Sequence, residues 1–155
     1  MPPIEQRASE LFRDTEFAEE VSQECLSIEF LIQQFDAGRL WVAVDGGDVP
    51  VGFAAALVID GNAHLHEVSV DPIHGRRGIG RKLIEAVYDW AVSHAFEGIT
   101  LSTFRDIPWN APLYQKLGFI ELPETEHGPE MKLLRNEERE SGLDISQRII
   151  MIRVI

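Results

Sequence analysis

The stretch Val68-Ser69-Val70-Asp71-Pro72-Ile73-His74-Gly75-Arg76-Arg77-Gly78-Ile79-Gly80-Arg81-Lys82 decides how the rest of the chain is read. Its first residues are apolar enough for a buried strand. Asp71-Pro72 stops that strand, because proline has no N–H for a ladder and biases the preceding residue away from helix. Gly78 and Gly80 then fall where a helix should open, and without Cβ atoms they let a ligand approach the backbone. The first N–H groups of a helix have no internal acceptors, and the helix dipole places partial positive charge beside them. Arg76, Arg77, Arg81 and Lys82 add four cations within seven residues. A strand, a glycine loop and a helix start in this order suit a diphosphate.

Working outward, Leu40 to Val44 and 51–59 are apolar runs joined by the turn Asp45-Gly46-Gly47-Asp48, which predicts a hairpin. Gly52 and Ala54 to Ala56 leave room for something large to pack over it. Asp60-Gly61-Asn62 turns the chain into a third strand, His64 to Val70. The helix after the glycine loop is expected over about 79–95, with Ile79, Leu83, Val87 and Ala91 inward, Ile84, Tyr88 and Val92 beside them, and Gly98 marking its end. A strand at 99–103 is expected parallel to the third, because a helix connects them. A loop at 104–109 leads to a short helix at 110–117 with Pro112 in its first turn. Gly118 stops that helix, and a strand at 119–122 follows. Residues 125–128 read as polar and flexible, 130–139 as a helix capped near Ser141-Gly142, and 148–155 as a closing strand. Before the hairpin, Ile4, Ala8, Leu11 and Phe12 suit a helix at 4–13. A loop at 14–17 then precedes a second helix with Val21, Cys25, Ile28, Leu31, Ile32 and Phe35 on one face and Gly38 as its cap. The fold class is α/β (α+β): a mixed, mostly antiparallel sheet with a central β-α-β crossover and helices on both faces. Residues 1–155 read as one domain.

The formal net charge of -12 argues against nucleic acid as the main partner, since phosphate backbones need a broad basic surface. It mildly favours a cationic small molecule, although acidity also serves solubility. Cys25 is the only cysteine, so no internal disulfide forms. No run is long and apolar enough to cross a bilayer, and Met1 to Glu5 lacks the basic and apolar regions of a signal peptide. The expected setting is the cytoplasm, with no membrane partner.

Gly78-Ile79-Gly80 lacks the third glycine of a dinucleotide fingerprint, and no Gly-Lys-Ser/Thr follows as in a P-loop. The chain resembles the GNAT superfamily of acetyl-CoA-dependent N-acetyltransferases. Val68-Ser69-Val70-Asp71-Pro72, the loop from His74 to Arg81, and Asn110-Ala111-Pro112-Leu113-Tyr114-Gln115-Lys116-Leu117-Gly118-Phe119 carry the resemblance. It implies acetyl-CoA as co-substrate. Backbone N–H groups across Arg76, Arg77, Gly78, Ile79, Gly80 and Arg81 would then face its pyrophosphate, and the Val68-Ser69-Val70 segment would pair with the pantetheine arm. It also implies that Tyr114 protonates the departing thiolate, and that Asn110 bonds the arm or caps its helix. Three departures stand out. Gly75 occupies a position where the family often has Gln or Arg. Asn110 stands closer to Tyr114 than the family's asparagine does to its tyrosine. The family's usual first strand has only Met1 to Pro3 available, so residues 149–154, from this chain or a partner copy in a homodimer, are a candidate replacement.

Acetyl transfer to an amine needs a base, because the amine is mostly charged at pH 7. Glu67 is the first candidate. It lies on the strand that would flank the thioester, where burial raises a carboxylic acid toward neutrality. A backbone N–H near Val70 is the expected donor to the thioester oxygen. On a regular strand Glu67 shares a face with Ser69, opposite Val68 and Val70. His64 and His66 are alternative bases, though ordinary strand positions describe them as well. His64, His66 and Glu67 cannot all share one face of a regular strand, so no metal site is expected. Phe104 and Trp109 are candidates for an acceptor pocket or for closing a core, and Glu29 for a distant acidic contact or a solvated face. The function this implies is acetyl transfer from acetyl-CoA to a primary amine of a small molecule. The alternatives are protein N-terminal or lysine acetylation, or a non-catalytic CoA-binding module.

Overall fold

The computed structural model describes residues 27–74, 78–107, 110–143 and 145–155. In chain order they form α1 (Ile28–Asp36), β1 (Leu40–Val44), β2 (Pro50–Ile59), β3 (Asn62–Val70), α2 (Ile79–Ser93), β4 (Gly98–Phe104), α3 (Ala111–Lys116), β5 (Ile120–Glu121), α4 (Pro129–Glu140) and β6 (Arg148–Val154). The strands order as β1-β2-β3-β4-β6-β5 in one sheet. β3 and β4 run parallel and are joined by α2, while β1–β2, β4–β6 and β5–β6 are antiparallel. This is the mixed, mostly antiparallel sheet with a β-α-β crossover that the sequence predicts. The readings over 4–13 and 14–17, and those of Val21, Cys25 and Trp109, lie outside the described residues.

The chain divides into two compact units, Met1–Leu57 with His66–Asp89, and Val58–Leu65 with Trp90–Ile155. In the first, successive residues of β2 meet different helices. A Cβ on Gly52 would lie 3.4 Å from the side chains of Ile79 and Leu83 on α2, and 3.1 Å from the Ser69 carbonyl oxygen. Phe53, on the next position and therefore the opposite face, packs with Leu31 of α1 and with Leu40. The small residues of β2 thus make room for the chain's own helix. Ser27 caps α1, its hydroxyl accepting the Phe30 N–H at 3.1 Å. The apolar spacing of α1 overstated its buried face. Leu31 and Gln34 are buried, whereas Ile28, Ile32 and Phe35 are exposed.

The second unit is built on β4. β6 pairs with it from Gly98↔Val154 to Phe104↔Arg148 and with β5 on its other edge. Residues 149–154 therefore lie between two strands of their own unit, which corrects their reading as a replacement for a first strand. β5 is shorter than the expected 119–122, because Phe119 is already used to close α3, its N–H donating to the Tyr114 carbonyl. Arg148 ties β6 to α4. It ion-pairs with Glu138 at 2.6 Å and donates to Ser102, with its guanidinium 4.7 Å from the centre of the Phe104 ring. Phe104 is thereby a core residue beneath an arginine, the second of the two roles its sequence position allowed.

Helix ends show where the sequence misled. α1, α3 and α4 finish with Gly38, Gly118 and Gly142 in left-handed backbone. α2 finishes the same way on Ala95, at φ 59, with the Phe96 N–H returning to the Ala91 carbonyl. Gly98 therefore does not end the helix. It begins β4, where a Cβ would press on Ile152 and the Arg153 carbonyl. Val92, read as flanking the inner stripe, is exposed, while Leu83, Ile84, Val87 and Ala91 are buried.

His127 and Gly128 are packed where the sequence suggested flexibility, while Thr125 and Glu126 are exposed. A short turn at Glu124–Glu126 precedes His127, which is buried with its ring Nε2 3.0 Å from the Leu122 carbonyl oxygen. At the start of α4, the Asp60 carboxylate accepts the Glu130 and Met131 N–H groups, each at 2.9 Å. The Glu130 carboxylate returns a bond to the Asp60 N–H at 3.0 Å. A Cβ on Gly128 would collide with that Asp60 carboxylate. Among the described residues, no helix is long and apolar enough to cross a membrane.

Candidate active site

β3 leaves the sheet as its sequence dictates. The Asp71 N–H donates to the Val51 carbonyl at 2.8 Å, and the Asp71 carboxylate accepts the Ile73 N–H at 3.2 Å. A single turn follows at Pro72–His74. Gly78 takes φ 74, a backbone region that L side chains rarely adopt, and α2 opens directly after it. The first helical bond runs from the Lys82 N–H to the Gly78 carbonyl at 3.0 Å. The N–H groups of Ile79, Gly80 and Arg81 therefore have no acceptor within the helix. A Cβ on Gly80 would make an ordinary contact, 3.7 Å from a Val70 methyl of β3. Arg81 and Lys82 are exposed, and Arg76 and Arg77 lie outside the described residues. Donors of this kind, beside a helix's positive end, match the chemistry of a diphosphate.

Glu67 is half-buried on β3 and accepts the Ser69 hydroxyl at 2.8 Å. That bond puts the two side chains on one face. The strand is not regular, however. The His66 ring lies 5.0 Å from that of Phe30 on α1, while Val70, four residues on, meets Gly80 of α2. Gly52 and Phe53 show that α1 and α2 cover opposite faces of this unit, so the side-chain alternation slips once between His66 and Val70. Ser69 and Glu67 meet on one side of the strand within this irregular stretch. Sequence reasoning assigned Ser69 through its backbone and missed its hydroxyl. A short hydroxyl residue two positions from a strand carboxylate was the available signal. Glu29 is exposed in the first turn of α1.

In the second unit, β3 pairs with β4 only through Ala63, His64 and Leu65. His64 is buried, its ring Nδ1 2.8 Å from the Thr100 hydroxyl, which in turn donates to the Ala63 carbonyl at 3.3 Å. β4 ends near Asn110, whose side-chain oxygen accepts the Thr103 hydroxyl at 2.7 Å. Asn110 stands before α3 but makes no side-chain bond to that helix's N–H groups, which removes the capping role considered for it. Its carbonyl accepts the Tyr114 N–H at 3.0 Å, so it begins the helix that carries Tyr114. Tyr114 is half-buried, its ring set edge-on to Phe119 at 5.7 Å. Thr103 went unnoticed in the sequence because an isolated hydroxyl within a strand carries no motif.

The sequence of these parts matches a known pattern across residues 6–119, the acetyltransferase (GNAT) family. The chain belongs to the acetyltransferase (GNAT) family. Solved GNAT-type structures share its fold at low identity. An N-acetylglutamate synthase from Neisseria gonorrhoeae, complexed with coenzyme A and N-acetyl-glutamate, is 17% identical with a TM-score of 0.72; the match covers 99% of this chain and 32% of that one. This chain thus spans about a third of the synthase's length. The PaiA N-acetyltransferase from Thermoplasma acidophilum, in complex with coenzyme A, is 15% identical with a TM-score of 0.68, over 99% of this chain and 89% of that one. The ribosomal-protein-S18-alanine N-acetyltransferase from Escherichia coli is 21% identical with a TM-score of 0.64, over 99% and 84% of the two chains.

Proposed function

We propose that residues 1–155 form one catalytic domain that moves the acetyl group of acetyl-CoA to a primary amine of a small molecule, in the cytoplasm. The observation that carries this reading is the start of α2. Gly78 in left-handed backbone, followed by the N–H groups of Ile79, Gly80 and Arg81 without helical acceptors, lies within the family match. Those donors would hold the diphosphate, with Arg76 and Arg77 beside them in sequence. Pairing of β3 with β4 through residues 63–65 alone supports a role for the Val68 and Val70 backbone in binding an extended arm. Acetyl-CoA supplies the activated acyl carbon. Glu67, oriented by Ser69, takes the proton that the ammonium must lose before it can attack. The Tyr114 hydroxyl gives a proton to the departing sulfur.

Two structurally similar proteins are bound to coenzyme A, and one is an acetyltransferase of a protein alanine, so the test must include both kinds of acceptor. CoA binding is measured by calorimetry, and thiol release from acetyl-CoA is followed with a panel of small amines and N-terminal peptides. Amine-dependent thiol release is the expected result, greatest with a small amine. CoA binding without turnover on any acceptor would overturn the enzyme reading in favour of a CoA-binding module. Turnover confined to peptides would overturn the substrate class alone.

A further inference from the structure

A hollow of about 330 Å3 lies against α4, within the second unit. Lys132, Arg135 and Arg139 line it, together with His127 and Glu124 from the segment before the helix. The three cations stand at i, i+3 and i+7 and so share one face of α4, where like charges repel and weaken a helix. Carboxylates outnumber cations in this chain, 26 to 14. Even so, none of the four glutamates of α4 stands three or four residues from Lys132 or Arg139. Glu138, the neighbour of Arg135 at that spacing, is taken by Arg148 and Ser102. Among the described residues neither Lys132 nor Arg139 makes an ion pair. Arg139 donates to the Asn136 side-chain oxygen at 3.2 Å. Arg135 is held in place: its side chain is 11% exposed, and it donates to the carbonyl oxygens of Arg148 and Ile145. Its carboxylate partner, Glu124, is 3.5 Å away and 81% exposed, so that pair is weak. His127 is buried, with Nε2 at the Leu122 carbonyl oxygen and no partner for Nδ1 among the described residues. A protonated ring would bring a further donor to an anion.

We propose that this hollow binds a small polyanion, whose carboxylate or phosphate oxygens reach from Lys132 to Arg139 across the Arg135 guanidinium. Residues at i and i+7 are about 10 Å apart along a helix axis. A monovalent ion meets one cation at a time, whereas a molecule with several anionic groups meets all three. The planar fork of arginine suits carboxylate and phosphate alike. The site shares no residue with Glu67, Tyr114 or the turn that opens α2, and it does not depend on the acetyl-transfer reading.

Citrate and pyrophosphate are titrated into the native protein by calorimetry at constant ionic strength. Pyrophosphate also suits the turn that opens α2, so the binding counted is that which variants of the hollow weaken. Lys132 and Arg139 are exposed, so replacing them leaves the fold intact, as thermal unfolding would verify. The expected result is saturable binding, weakened about threefold by Lys132→Ala or Arg139→Ala alone and about tenfold by the two together. Glu124→Gln removes the carboxylate at the rim and should tighten binding by about twofold. Arg105→Ala removes an exposed cation paired elsewhere, with Glu121, and should leave binding unchanged. Binding of citrate alone would support the site and assign it to carboxylates, and binding of pyrophosphate alone would support it and assign it to phosphates. Failure of both anions to bind would overturn the proposal. So would native affinity in the double variant, or an equal loss in Arg105→Ala, which is the mark of net charge.

Discussion

The glycine turn that opens α2 and the β4–α3 corner that carries Tyr114 are built on different principles. The first presents main-chain donors after a left-handed glycine, Gly78. The second depends on particular side-chain atoms, with Thr103 holding Asn110 and Phe119 set against the Tyr114 ring. A backbone device tolerates change in the charges around it and fails when bulk is added. A side-chain device fails when a single atom is removed.

Removal of one oxygen is therefore the strongest test. Tyr114→Phe should lower kcat by about a hundredfold with CoA affinity nearly unchanged, as expected for loss of a general acid. An unchanged kcat would remove Tyr114 from the chemistry. For the glycine turn the damaging change is addition. Gly80→Val should weaken CoA binding by about tenfold or more, read by calorimetry on protein whose thermal midpoint is close to native. Asp60→Ala removes the acceptor for two N–H groups of α4 and should cost about 1–2 kcal/mol of stability in denaturant unfolding. Arg81→Ala, in contrast to Gly80→Val, should change CoA affinity by about threefold or less, because an exposed charge is well screened. A large loss at Arg81 and a small one at Gly80 would reverse the comparison. An effect of similar small size is expected at Ala95→Gly, which relieves a left-handed alanine and should raise stability by about 0.5 kcal/mol.

The same contrast explains what could be read from the sequence. Proline, glycine and apolar periodicity report directly on backbone, so the end of β3, the start of α2, the turn at Asp60-Gly61 and the parallel crossover were legible. Glycine endings were expected for the helices before Gly38, Gly118 and Gly142, and left-handed backbone occurs at each. It was missed at Ala95, an exposed residue with no propensity for that conformation, where the turn that closes α2 adopts it. Ser69 to Glu67 and Thr103 to Asn110 were hidden for another reason. Each joins two common polar residues whose meeting depends on strand phase and on how β4 leads into α3, and neither depends on local composition. The stripe on α1 misled because periodicity shows that a face exists and does not show how much of it is covered.

The reciprocal bonds between Asp60 and the start of α4 also bear on the order of folding. The helix has no side-chain cap of its own, since Gly128 occupies that position, and its cap comes from a turn 70 residues earlier. The hairpin turn closes locally and early, whereas the capped helix needs a long loop to close first. During synthesis the Asp60 carboxylate emerges well before the N–H groups it will bind. Completion of α4 is thereby coupled to a hairpin already in place, and a chain with a misformed 60–61 turn would carry its fault forward to a helix made much later.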